Sequence, residues 1–170
     1  VLGGIDFLNQ DPDRLLEMRL NFYLRGLNKT EDPKAENELV GPNGEIVGRV
    51  KNGRPKFFPD YYVIPMSLDK DNDAQEAFNM IDYFKRNGVL VKELKEDIGN
   101  YKKGGLVIDM AQAKRGYANH ILYKGSNESA WAAMYAELLV NFPDMRGFKS
   151  EPVFADGLFN GKLGEVTTTR

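Results

Sequence analysis

The sequence predicts an α/β domain with a small, open, mostly parallel sheet. Within residues 61–123, an apolar run precedes an amphipathic helix, and two further apolar runs precede a second helix. This is the element order of an α/β unit. The runs Val89–Val91 and Leu106–Ile108 are continuous rather than alternating. Such runs are typical of strands that are covered on both faces, as in parallel sheets.

The first predicted element is a helix that begins near Pro12, where Asp11 and Asp13 suit the positive end of the helix dipole. Apolar residues recur at helical spacing until Gly26 and Asn28 indicate the end. Because these side chains spread over more than one stripe, we expect the helix to leave an apolar patch exposed or to self-associate through it. They are Leu15, Leu16, Leu20, Phe22, Tyr23, Leu24 and Leu27.

A hairpin is predicted next, over residues 45–58, because Asn52-Gly53 is a strong turn signal between two arms. The core helix follows: Asp73 can cap it, Glu76 completes a capping-box pattern, and Gly88 supplies a left-handed end.

The charged stretch from Glu93 to Lys103 predicts a hairpin or long turn. Further helices are predicted over residues 111–123 and 128–141, and no regular pattern is visible from Arg146 onward.

These elements divide the chain into three predicted parts. Residues 1–59 form a helix and hairpin extension, residues 60–150 form the α/β domain, and residues 151–170 form an irregular tail. The chain begins at Val1 without a signal peptide, and we interpret that start as an internal cut in a longer protein.

Composition excludes several classes of function. The net charge of −2, with mixed signs, gives no nucleic-acid footprint. No apolar segment approaches the roughly 20 residues that span a bilayer. The absence of cysteine removes disulfides, thiolate nucleophiles and cysteine metal sites.

A ligand or interface site is predicted at the turn after the third apolar run. Ligands of α/β sheets favour the carboxyl ends of strands, and Asp109 stands at that end. Gln112, Lys114 and Arg115 follow at a helix start, where they could hold a carboxylate or a phosphate. The competing interpretation is a polar helix start that docks on a neighbouring segment. With no Ser or Cys at the turn, nucleophile-elbow chemistry is absent.

His120 is the single histidine and joins this list as a further candidate, although catalytic triads and the usual zinc sites need partners that the chain lacks. Asp69, Asp71 and Asp73 alternate like a calcium loop, but the sixth and twelfth loop positions lack the required Gly and Glu. We therefore predict no catalytic and no metal-binding residue in this chain.

Three parts of the chain carry a family resemblance: residues 61–66 with 77–88, residues 103–116, and residues 131–137 with 141–148. They resemble the C-terminal region of bacterial exported zinc carboxypeptidases of the carboxypeptidase A-like family. In addition, residues 1–27 look like the last helix at the edge of the peptidase domain.

The resemblance implies a flavodoxin-like or class I glutamine amidotransferase-like accessory domain. It also implies that the chain is secreted and that the zinc, held by an HxxE pair and a distant His, belongs to an upstream catalytic domain. This sequence has no HxxE, so none of those ligands can be assigned here. The amidotransferase cysteine would follow Ile108, where the chain has Asp109.

The predicted function is therefore a non-catalytic C-terminal domain of a secreted zinc metallocarboxypeptidase, which packs on the peptidase domain in cis and supports it. The alternative is a small-molecule or peptide binding module that uses residues 109–115. A third hypothesis is an autonomous hydrolase with a pair of acids. A large apolar face on the first helix favours docking, whereas a deep pocket at Gln112 and Arg115 favours the binding module.

Overall fold

A computed structural model describes residues 2–31, 55–67, 73–123 and 142–167. The predicted hairpin turn at Asn52-Gly53 and the predicted helix over 128–141 lie outside these residues. The described elements, in chain order, are α1 (Leu2–Gln10), α2 (Pro12–Leu27), β1 (Tyr61–Ile64), α3 (Ala74–Arg86), β2 (Lys92–Leu94), β3 (Leu106–Asp109), α4 (Arg115–Leu122), α5 (Phe142–Arg146), β4 (Glu151–Val153) and β5 (Leu163–Gly164).

Local signals placed two helix starts correctly. The Asp11 carboxylate accepts a hydrogen bond from the backbone N–H of Arg14 (3.0 Å) and caps α2. The Asp73 carboxylate accepts from the N–H of Glu76 (3.1 Å) and caps α3. The reciprocal half of the predicted capping box is absent at this end, because the Asp73 N–H donates to the carbonyl of Gly147 instead.

The sheet has five strands in the order β4-β1-β3-β2-β5, and each neighbouring pair is antiparallel. The prediction of a mostly parallel, flavodoxin-like sheet is therefore wrong. Both β1 and β2 run antiparallel to β3, which lies between them. The β1–α3–β2 connection thus joins two strands that point the same way but are not neighbours.

Continuous apolar runs were misleading because burial on both faces does not require parallel strands. Tyr62 and Ile64 of β1 face one core with α3 and α4, and Tyr61 and Val63 face a second core on the other side. In addition, Val89–Val91 only precedes a strand, since β2 begins at Lys92.

The first core joins the sheet to the helices. Its members from α3 and α4 are Ala77, Met80, Ile81, Phe84, Ala118, Ile121 and Leu122. The Tyr62 hydroxyl also donates to Asn119 of α4 (2.9 Å), so a buried polar contact fixes this helix on β1.

The second core lies under the C-terminal residues. Phe159 is 1% exposed and packs with Tyr61, Val63 and Val153. Both β4 and β5 belong to the sheet, although no regular pattern was visible beyond Arg146. Strands of three and two residues are too short to show a period, and Pro152 in β4 suits only an edge strand.

Candidate functional site after β3

The turn that follows β3 is held together by its own polar groups. The Asp109 carboxylate accepts from the N–H of Ala111 (2.8 Å). The Gln112 amide, 2% exposed, accepts from the N–H of Leu90 (2.9 Å) and donates to the carbonyls of Asp109 (2.6 Å) and Leu90 (3.3 Å). Gln112 therefore joins the segment that precedes β2 to the end of β3.

Arg115 begins α4 and is 5% exposed. Its guanidinium donates to the carbonyl of Thr30 (2.6 Å) and lies 3.5 Å from the Glu31 carboxylate. The guanidinium carbon also lies 4.2 Å from the centre of the Phe58 ring. Such planar stacking with hydrogen bonding is characteristic of Arg. Here it holds the segment that follows α2.

The remaining two predicted site residues, Lys114 and His120, lie in different surroundings. The Lys114 ammonium lies 5.3 Å from the centre of the Tyr23 ring in α2. His120 is exposed in the last turn of α4. The structure therefore places Asp109, Gln112, Lys114 and Arg115 along one turn beside α2, whereas His120 lies further along the helix.

The docking of α2 on this turn is close. A β-carbon on Gly26 would overlap the carbonyl oxygen of Gln112, and one on Gly116 would lie 2.8 Å from the Phe22 ring. Gly26 is accordingly the buried residue of α2. The predicted helix start at Ala111 is displaced to Arg115 because residues 111–114 form this docking turn.

An ion-pair cluster, which was not predicted from the sequence, lies at the same end of the sheet. Asp60, 3% exposed, accepts from the ammonium of Lys56 (2.7 Å) and lies 3.5 Å from that of Lys29. Lys29 also donates to Asp156 (2.6 Å). Lys56 and Asp60 are only four residues apart, but Lys29 and Asp156 come from distant parts of the chain, so no local pattern could have grouped all four.

Lys29 serves as a cation in this cluster rather than as a nucleophile. Burial lowers the pKa of its ammonium, but the hydrogen bond to Asp156 and the charges of Asp109, Asp156 and Asp60 outweigh burial and raise it above its ordinary value. An amine must lose its proton to attack a carbonyl, so this environment opposes covalent catalysis. Lys29 has a φ of +50°, in the left-handed region that residues other than glycine rarely adopt.

No group of three or more His, Asp or Glu side chains within the four described ranges is arranged to hold a metal ion. Across the same ranges, none of the helices combines the length and apolar character needed to cross a bilayer.

Comparison with models of protein families, with curated proteins and with solved structures finds no match to this chain.

Proposed function

We propose that this chain is a non-catalytic docking domain that packs on another folded domain through α1 and α2. The observation that supports the proposal is a concentration of exposed apolar side chains on these two helices. Leu16 is 65% exposed and Leu20 is 60% exposed, whereas the large apolar residues of the sheet and of the helices that cover it are mostly buried. The other exposed members are Ile5, Leu8, Met18, Phe22, Leu24 and Leu27.

The arrangement on α2 suits a surface that packs on two sides. Leu15, Tyr23 and Gly26 are the least exposed residues of the helix, and Gly26 touches the turn after β3. Leu16, Leu20, Leu24 and Leu27 form a stripe beside them at helical spacing. One side of the helix is thus used within the chain, and a second apolar side faces outward.

We do not propose the alternative function, a binding module that uses the turn at residues 109–115. A binding module there would need Gln112 and Arg115 to turn toward a pocket. Their polar atoms instead meet backbone groups of Leu90, Asp109 and Thr30. This matches the competing interpretation of a polar helix start that docks on a neighbouring segment.

We propose the peptidase domain of a secreted zinc carboxypeptidase, joined in cis, as the partner. This choice rests on the sequence resemblance of the three segments and of residues 1–27 alone. The fold does not support it, because the same resemblance implied a parallel sheet and the observed sheet is antiparallel. Zinc would then be a cofactor of the partner. The coding sequence that precedes Val1 tests the choice directly: an HxxE followed about a hundred residues later by a His would support it.

Binding to that peptidase domain tests the docking surface. We expect the wild-type chain to form a complex in isothermal titration calorimetry and Leu16→Glu/Leu20→Glu to weaken it at least about tenfold, because each charge would be desolvated. Met145→Glu is the matched control, since Met145 is 74% exposed on α5. Equal binding by the double variant, or no complex with the wild type, would rule out the proposal.

A further inference from the structure

A groove lies at the end of the sheet opposite the docking turn. Tyr61 pairs with Asp109 at the docking end, and Ile64 pairs with Leu106 at the other end. The groove opens there, with a volume of about 350 Å³. Its walls are residues 65–67 after β1, residues 100–103 and 105 in the β2–β3 turn, and Lys149 and Glu151 at the start of β4.

The groove exists because loops cover this end of the second face. Val63 belongs to the second core and also lines the groove. Tyr101 packs against the same core from the β2–β3 turn, where it pairs with Ile98. Helices α3 and α4 lie on the opposite face of the sheet.

The lining combines positive charge with an apolar floor. Among the described lining residues, Lys102, Lys103 and Lys149 carry positive charge and Glu151 carries negative charge. Lys102 lies 2.8 Å from Asp97, which is outside the lining, and that carboxylate offsets part of its charge. The apolar groups are Val63, Pro65, Met66 and the ring of Tyr101.

We propose that this groove binds a small organic anion, in which a carboxylate or phosphate group is attached to an apolar body. Ammonium groups supply several donors for oxygen anions, and the apolar floor takes up the rest of the ligand. The volume falls within the range of small-molecule pockets, about 300–1,000 Å³. The proposal goes beyond docking and does not depend on it, because the groove and α2 meet opposite ends of the sheet.

The test uses phenyl phosphate and benzoate as probes, titrated into the ¹⁵N-labelled full chain and followed by NMR. We expect saturable shifts at residues 100–105 and 149–151, with binding that weakens as salt is added. The two probes share the apolar ring, so their relative affinities show which anionic group is preferred. Benzyl alcohol has the ring without the charge and should bind at least about tenfold more weakly.

Variants show whether the lysines carry the affinity. Lys103→Gln/Lys149→Gln should lose about tenfold in affinity for the anionic probes. Lys103→Gln alone is a second variant, since the Lys103 contact to Asp97 uses the backbone N–H and survives the change. Lys85→Gln, at an exposed position of α3, is the control and should bind like the wild type.

Absence of saturable shifts at the groove would overturn the proposal. So would equal binding of benzyl alcohol, since the groove would then be only an apolar cleft. Unchanged affinity in both lysine variants would also overturn it.

Discussion

Two glycines allow α2 to pack closely on the body of the protein. Gly26 faces the carbonyl oxygen of Gln112, and Gly116 faces the ring of Phe22. A β-carbon at position 26 would overlap backbone and force the two segments apart, whereas one at position 116 would require the exposed Phe22 ring to shift. The sequence suggested only that Gly26 helps to end a helix, because the group that it touches lies far along the chain.

Gly26→Ala should therefore destabilise the protein, by about 1–3 kcal/mol of unfolding free energy. Helix propensity acts in the opposite direction, since Ala is better than Gly by about 1 kcal/mol within a helix. Urea unfolding followed by circular dichroism measures the balance. Arg25→Ala, at the exposed neighbouring position, should change stability by less than about 0.5 kcal/mol. A more stable Gly26→Ala variant would show that α2 does not pack as closely as described.

At the scale of single residues, a role could be predicted from the sequence only where the residue acts on its near neighbours in the chain. Asp11, Asp73 and Gly88 act on neighbouring residues, and their roles were predicted from local rules. Gln112 bonds to Leu90, 22 residues away, and Arg115 bonds to Thr30, 85 residues away. The types of residue at the turn were visible in the sequence, but their partners were not.

At the scale of elements, the predicted burial of an apolar run is correct for β3 but not for Val89–Val91, where Leu90 is 63% exposed, and the predicted direction of the strands is wrong. The apolar run of β3 is buried on both sides, as expected. Its neighbours β1 and β2 nevertheless pair with it antiparallel. The hairpin at residues 95–105 requires β2 and β3 to be antiparallel. The direction of β1 relative to β3 depends instead on how the crossover through α3 returns to the sheet, which is decided by tertiary packing.

Lys29, in the segment after α2, forms ion pairs with Asp60 and Asp156. The attachment of this segment to the rest of the chain should therefore depend on pH. The pKa of Lys29 is raised in the folded state, so its contribution is full below the unfolded value, about 10.4, and is lost as pH rises through the folded value. The pKa of Asp156 is lowered, chiefly by its hydrogen bond to Lys29. Its contribution is full above the unfolded value, about 3.9, and is lost as pH falls through the folded one.

Lys29→Met should thus be less stable than the wild type across neutral pH, and the difference should shrink in acid below about pH 4 and in base above about pH 10.5. Urea unfolding at a series of pH values measures this difference. Arg25→Met, at an exposed position, is the control and should show no such profile. A Lys29→Met difference that stays constant from acid to base would show that the ion pairs do not hold the segment.

At the scale of the whole molecule, the described residues form three layers. Helices α3 and α4 cover one face of the sheet, and the C-terminal segment with the β2–β3 hairpin covers the other. Glu93, 5% exposed, accepts from the N–H of Thr167 (2.7 Å), which ties the end of the described chain to β2. The C-terminal residues thus complete the sheet and its second core, and α2 is attached at one end.

Phe159 tests whether this C-terminal segment is part of the folded core. Its ring lies 4.9 Å from the centre of the Tyr61 ring and 5.5 Å from that of Tyr101, edge to face in both cases. Phe159→Ala removes these contacts and leaves a cavity, so it should cost about 3–5 kcal/mol of unfolding free energy. Met145→Ala also deletes apolar atoms, but from a side chain that is 74% exposed. It should cost less than about 0.5 kcal/mol.

Urea unfolding of both variants and the wild type, monitored by circular dichroism, gives the comparison. A loss of several kcal/mol for Phe159→Ala alone would mean that residues 151–167 fold cooperatively with the sheet. If Phe159→Ala costs no more than Met145→Ala, the segment behaves as the irregular tail that was predicted for residues 151–170, and the second core contributes little to stability. We expect the first result, because 1% exposure of a ring between two others leaves no route for water to replace the lost contacts.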